Sequence, residues 1–178
     1  MIRFQMHRLL RDTRATAVIE LALIAPIVAL TVIGIVDLSN AFSRKLGLEQ
    51  GAQRAIEKIM QTTEDDTVRD TLAKEAVCQV NGTNSDGTCK TSPITTNDVT
   101  VTYRVDCTST STNAVTTRST TNADIYDTWL TCPTGETAST YISVSVLDKY
   151  TPMFPVHFSS YDPDGTYHIS ATAGMRTS

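Results

Sequence analysis

The sequence predicts an α+β protein in which a long amino-terminal helix, first transmembrane and then amphipathic, carries a small antiparallel β-sheet head. Three observations lead there. Residues 17–36 form a twenty-residue apolar segment interrupted by a single acid, Glu20. Apolar residues then recur at three- and four-residue steps as far as Met60. Beyond Cys78 the chain turns rich in Ser and Thr and begins to alternate apolar with polar residues, the two-residue period of a half-buried strand.

The apolar segment has the length of a membrane span, since about 20 helical residues cross a ~30 Å hydrocarbon core. A cleaved secretory signal also starts basic and continues apolar, but its apolar core runs only about 7–15 residues. Here the run is longer, no small-x-small site closes it (the chain reads GIVDLSNAF), and the helical pattern continues beyond. A retained span over 17–36 is therefore expected. Arg3, Arg8, Arg11 and Arg14 precede it, opposed only by Asp12, and the positive-inside rule keeps that end cytoplasmic. Everything after Asp37 then lies outside. Glu20 is the costly feature, because a charged residue at a helix centre loses about 2.5–3.5 kcal/mol on insertion scales. It calls for a cation at the bilayer; the alternative is a carboxylate that reaches the headgroups or stays protonated. Pro26 removes a backbone donor within the span and is expected to kink the helix there.

From Asp37 to Met60, Leu38, Phe42, Leu46, Leu48, Ala52, Ala55, Ile56 and Ile59 mark one apolar face, with Arg44, Lys45, Glu49, Arg54, Glu57 and Lys58 mostly on the other. No strong breaker separates this segment from the span, so one kinked helix over 16–60 is expected. Gly34, Gly47 and Gly51 weaken it by about 1 kcal/mol each relative to Ala, or else admit a closely packed neighbour. A short helix follows over 65–77, with acids in its first turn as the dipole prefers.

The head spans 61–178. NGTNSDG after Cys78 is turn chemistry. Of the 50 residues from 91 to 140, 22 are Ser or Thr, which favours extended backbone over helix. Strands are expected at 99–105, 141–147 and 167–175, with Ile142, Val144 and Val146 on one face. The stretch 108–122 reads as a Ser/Thr-rich loop or irregular edge. Trp129 and Leu130 suggest a small satellite core, and Tyr150, Met153, Phe154 and Phe158 an apolar cluster beneath a Pro-rich bend. Three or four antiparallel strands packed on the amphipathic helix complete the expected architecture.

Cys78, Cys89, Cys107 and Cys132 all fall on the outward side, where an even count reads as disulfides. Three pairings are open. Local closure favours Cys78–Cys89 with Cys107–Cys132, because shorter loops cost less entropy to close. Zinc is disfavoured: no C-x-x-C occurs, and neither His157 nor His168 lies near a cysteine in sequence. The formal charge of −4 gives no broad basic surface for nucleic acid. Asp162-Pro-Asp164-Gly165 resembles the start of a calcium loop but lacks the later ligands and the closing Glu, so a hairpin turn is expected. Asn81-Gly82-Thr83 matches a glycosylation acceptor by pattern alone. No nucleophile–base set, P-loop or G-x-S-x-G is present; neither an enzyme nor a cofactor is expected.

The segment RATAVIELALIAPIVAL at 14–30, with GIVDL at 34–38 and AF at 41–42, resembles the start of TadE-like proteins, pseudopilins of the tight-adherence (Tad) pilus machinery. The carboxyl end is similar too: ISVSVLDKYTPMFP at 142–155 and DGTYHISATAGMR at 164–176 look like that family's closing hairpin. The resemblance implies a pilin-like fold and a basic cytoplasmic leader, residues 1–15, removed by a prepilin peptidase. With the acid at the fifth mature position, the cut falls between Ala15 and Thr16; Ala15 stands where the family usually has Gly. Glu20 would then pair with the new amine of Thr16 on a neighbouring subunit. The implied partners are other pilins or pseudopilins (TadF-like or a major Flp-type pilin), the peptidase and the inner-membrane assembly platform, with the carboxyl-terminal part periplasmic. A rival reading is a pilus-tip or membrane-anchored adhesin that displays the Ser/Thr-rich head.

Overall fold

The computed structural model describes residues 13–61, 66–122, 131–154 and 162–177. Most of the basic leader, together with Trp129, Leu130, His157 and Phe158, lies outside the described residues. Helix α1 covers Thr13–Gln61, 49 residues that run as one element through Pro26. At 1.5 Å per residue it is about 70 Å long. Helix α2 covers Asp66–Asn81, four residues further than its sequence pattern suggests. Gly82, at φ +78°, ends it by donating its N–H to Cys78 O at 2.9 Å, the left-handed stop that glycine adopts without strain. Four strands follow: β1 Val99–Ser109, β2 Val115–Thr120, β3 Glu136–Tyr150 and β4 Tyr167–Arg176.

The sheet has the order β2-β1-β3-β4 with every neighbour antiparallel. The long central strands run in continuous register from Val99 opposite Val146 to Ser109 opposite Glu136. Two-residue alternation selects the inward face. Val99, Tyr103, Val105 and Cys107 of β1 are buried, as are Ile142, Val144 and Val146 of β3, with Ala171 from β4. Against them pack Leu48, Ala52, Ala55 and Ile56 of α1 and Leu72, Ala76 and Val77 of α2. The molecule is thus α+β, a long apolar helix with a four-stranded antiparallel head.

The stretch 108–122, expected as a loop or irregular edge, forms a sheet edge that is regular. It is a tight turn, with Asn113 at φ +56°, followed by the regular edge strand β2. Nearly every residue of β2 is exposed, so neither face imposes an apolar period. The β-branched Thr residues favour the extended state on their own, and pairing with β1 completes it.

Gly51 shows which glycine role applies in α1. A Cβ there would press on Val80 Cγ2 and come within 3.0 Å of Ala76 O; its missing side chain lets α1 and α2 approach closely. The sulfur pairs are Cys78 with Cys89 and Cys107 with Cys132, their Cα atoms 4.8 and 5.5 Å apart. The first staples the end of α2 to the following turn. The second holds β1 to the segment entering β3.

Candidate functional site

The side of α1 turned to the head follows one continuous helical row. Residues 37, 40, 44, 48, 51, 52, 55, 56 and 59 lie at the three- and four-residue spacing that places them on a single face. The chemistry of that row changes midway. From Leu48 upward it is apolar, buried as far as Ile56 and partly buried at Ile59. Below Leu48 it is Asp37, Asn40 and Arg44.

Strand β3 makes the same change in register. Its inward residues run Ile142, Val144, Val146, Asp148, Tyr150, apolar against the upper row and polar against the lower. Asp148 is 7 % exposed and faces the Arg44 guanidinium at 3.7 Å. Asp37, also buried, accepts hydrogen bonds from the main-chain N–H of Met153 at 2.9 Å and of Phe154 at 3.3 Å, and from the Tyr150 hydroxyl at 3.3 Å. Asn40 donates to Met153 Sδ at 3.4 Å. Burial, and next the neighbouring Asp37 charge, push the Tyr150 hydroxyl above the ordinary tyrosine range, because both disfavour a second anion there.

This polar seat corrects two expectations. Arg44 belongs to the head-facing side, whereas Leu38, Phe42 and Leu46 stay exposed. The reason is geometric: at about 100° per residue the row that continues Leu48 downward passes through 44, 40 and 37, and Phe42 and Leu46, each two positions from members of that row, lie about 160° round the helix from it. In the bend, Met153 is 68 % exposed, so this residue ties to α1 through its N–H and sulfur and not as a core side chain. Period-two counting from Val146 reaches Asp148 and Tyr150, and i, i+3, i+7 spacing links Asp37, Asn40 and Arg44. Both signals stand in the sequence. They escape a search that looks only for apolar stripes.

The exposed stripe 38-42-46 continues an exposed apolar surface along the span: Val18, Leu21, Ile24, Ile27, Leu30 and Ile35 are all at least half exposed. Glu20 is exposed on this same stretch, and Ala15 and Thr16 lie near the helix start. Beside Leu38 and Phe42 an open groove runs between α1 and β4, walled by Tyr167 and Ile169 and reaching down to Ile27.

At the β4 end, Asp162–Gly165 is a turn. Gly165 at φ +82° donates to Asp162 O at 3.0 Å. The Asp164 carboxylate accepts from Thr166 N and Oγ1 at 3.1 and 2.7 Å, from Lys149 Nζ at 3.1 Å, and lies 2.9 Å from His168 Nε2. The contacts with His168, then Thr166 and Lys149, hold its carboxyl far below the usual carboxylate range. Its oxygens serve the turn and the neighbouring strands. Asn81 is equally committed: buried, it donates to Lys90 O and Ile94 O at 2.7 and 2.6 Å and accepts from Ile94 N at 3.1 Å. Its role is to seat the segment after α2, and a glycan on its Nδ2 would have to replace one of these two donated bonds.

Taken together, one long apolar helix fit to anchor a chain in a membrane, bearing a compact α+β head, defines a helix-anchored protein with an extramembrane domain. The amino-terminal part of this chain is TadE-like: the family described as TadE-like protein matches residues 15–56. The likeness over those residues is to a Tad-system, pilin-related family. The match contains Glu20, Pro26, the seat residues of α1 and the exposed stripe, and ends before the sheet. No curated protein and no solved structure matches the chain.

Proposed function

We propose that this chain is a pseudopilin of a Tad pilus assembly system that packs through α1 with other pilins. The observation that carries the reading is the exposed apolar surface of α1, which continues past the span through Leu38, Phe42 and Leu46. Lipid covers apolar residues up to about Val36; a neighbouring helix would cover the rest. The chain divides into a leader (1–15), the helix (16–60) and an extracytoplasmic head (61–178) that enters the periplasm from the inner membrane. A prepilin peptidase removes the leader between Ala15 and Thr16. Glu20 then meets the amine of Thr16 on an adjacent subunit. In this low-dielectric setting the attraction is strong but desolvation offsets much of it, so the pair acts chiefly on register. Pro26 bends the helix to follow its neighbours, and the two disulfides hold the head outside the cell's reducing interior.

Amino-terminal sequencing of the membrane-extracted protein tests the processing step: a chain that begins at Thr16 supports it, and one that begins at Met1 refutes it. Phe42→Glu and Glu20→Gln should each abolish co-purification with pilins and piliation while leaving the head folded. Wild-type fibres from both variants would sink the reading.

A surface-contact role for the head is favoured by β2, whose Ser and Thr side chains are exposed along an open sheet edge. Removing 109–122 would strip an edge strand and expose β1. Point changes at Thr116 and Ser119 therefore test adhesion more cleanly, and should lower it without loss of pili.

A further inference from the structure

The geometry points to Asp37 as a positioning residue that sets the pose of the head over the membrane-proximal part of α1. Its carboxylate lies one residue past the span and is 7 % exposed. Among the described residues, its hydrogen-bond donors come from 113 to 117 residues away, so the tie is tertiary and not local. Met153 and Phe154 lie beyond the end of β3. Their N–H groups have no place in the sheet ladder, and a half-buried amide needs an acceptor. The two oxygens of Asp37 meet both: Met153 N reaches Oδ1 and Phe154 N reaches Oδ2, while the Tyr150 hydroxyl shares Oδ1. Bonds to an ionised acceptor are stronger than neutral ones.

The upper apolar row does not depend on this contact. Leu48, Ala52, Ala55 and Ile56 pack on the sheet about 17 Å or more further along the helix, at 1.5 Å per residue. Release of Asp37 should therefore free the lower end of the head and leave its core intact. Asp37 also lines the groove between α1 and β4. The seat thus controls how closely β4 stands over Leu38 and Phe42, the residues offered to a neighbouring helix. This last consequence rests on the helix-packing reading; the positional role itself does not.

The test uses the full chain in lipid nanodiscs, as wild type and as Asp37→Ala, Asp37→Asn and Tyr150→Phe. Hydrogen exchange is followed at residues 150–154 and in the core strands, together with the distance between spin labels at Leu38 and Thr172. In Asp37→Ala, exchange at Met153 and Phe154 should quicken about tenfold or more and the label distance should broaden, with protection at Val101 and Val144 unchanged. Asp37→Asn keeps one carbonyl oxygen and should fall between. Tyr150→Phe should have the smallest effect, because both backbone donors remain. Unchanged exchange at Met153 and Phe154 in Asp37→Ala overturns the assignment. So does an equal loss of protection throughout the core, which would make Asp37 a general prop of the fold. If exchange and distance change as expected but Phe42→Glu still assembles with pilins, the positioning role stands and the packing reading falls.

Discussion

The head meets α1 along a single helical row, yet the upper and lower halves of that row are held by different forces. Above, Leu48, Ala52, Ala55 and Ile56 are sealed from water against Val105, Ile142, Val144 and Val146, and each buried CH2 contributes roughly 0.8 kcal/mol. Below, Asp37, Asn40 and Arg44 face Asp148, Tyr150 and the main chain of the bend. Polar contacts of that kind add little net stability, about 0.5–1.5 kcal/mol each, but leaving one partner unmet costs more. The upper half makes the head stable. The lower half fixes where it sits, and it does so at the end nearest the membrane.

The largest expected effect comes from the dry half. Leu48→Ala leaves a cavity at the centre of the core and should destabilise the head by about 2–5 kcal/mol. Chemical denaturation followed by far-UV circular dichroism would show the shift, and a loss under 1 kcal/mol would remove the case for Leu48 as a core anchor.

Next is the close approach of the two helices. Gly51→Ala pushes a methyl group against Val80 and towards Ala76 O, an overpacking that should cost about 1–3 kcal/mol. Helix propensity alone favours Ala by about 1 kcal/mol, so an unchanged or raised melting temperature would mean that α2 moves aside freely.

The wet half should respond less, and in a different manner. Arg44→Ala leaves the buried Asp148 carboxylate without its cation. Because the Arg44 side chain is 44 % exposed, solvent screens the pair, and a loss of about 1 kcal/mol is expected. The double change Arg44→Met with Asp148→Leu should restore or exceed wild-type stability. If the double variant is worse than the single one, this pair contributes more than position.

The smallest effect concerns acid. Asp164 has its folded pKa below the unfolded value of 3.8, so it contributes stability above that pH and loses it progressively as pH falls further. The wild-type melting temperature should therefore drop more steeply below pH 3.8 than that of Asp164→Asn. Superimposable acid limbs would show that the bonds from His168, Thr166 and Lys149 are no stronger than hydration.

Much of this architecture can be read from the residues because it follows a simple period. The apolar span, the continuation into an amphipathic helix, and the strands through Val101, Val144 and Ala171 all repeat at 3.6 or at two. Two features do not. Strand β2 is an edge with both faces in water, so no alternation announces it; only its Thr content does. The seat is polar on both sides, so no apolar period singles out Asp37, Arg44 and Asp148, and placing Arg44 on the outward face follows the usual cost of burying charge. Their pairing across more than a hundred residues becomes visible only once the two rows lie side by side. The exposure of Leu38, Phe42 and Leu46 is the other half of that error, since the helix turns the polar row inward at the same level.

The unbroken course of α1 has a mechanical consequence. The rod whose apolar half is fit to span a bilayer is also one wall of the head's interior, with no hinge or loop described between Ala17 and Gln61. An axial pull or twist on its apolar half is therefore delivered to the sheet through continuous helix, with Pro26 the one proline along the way. The head must ride with the span as one lever.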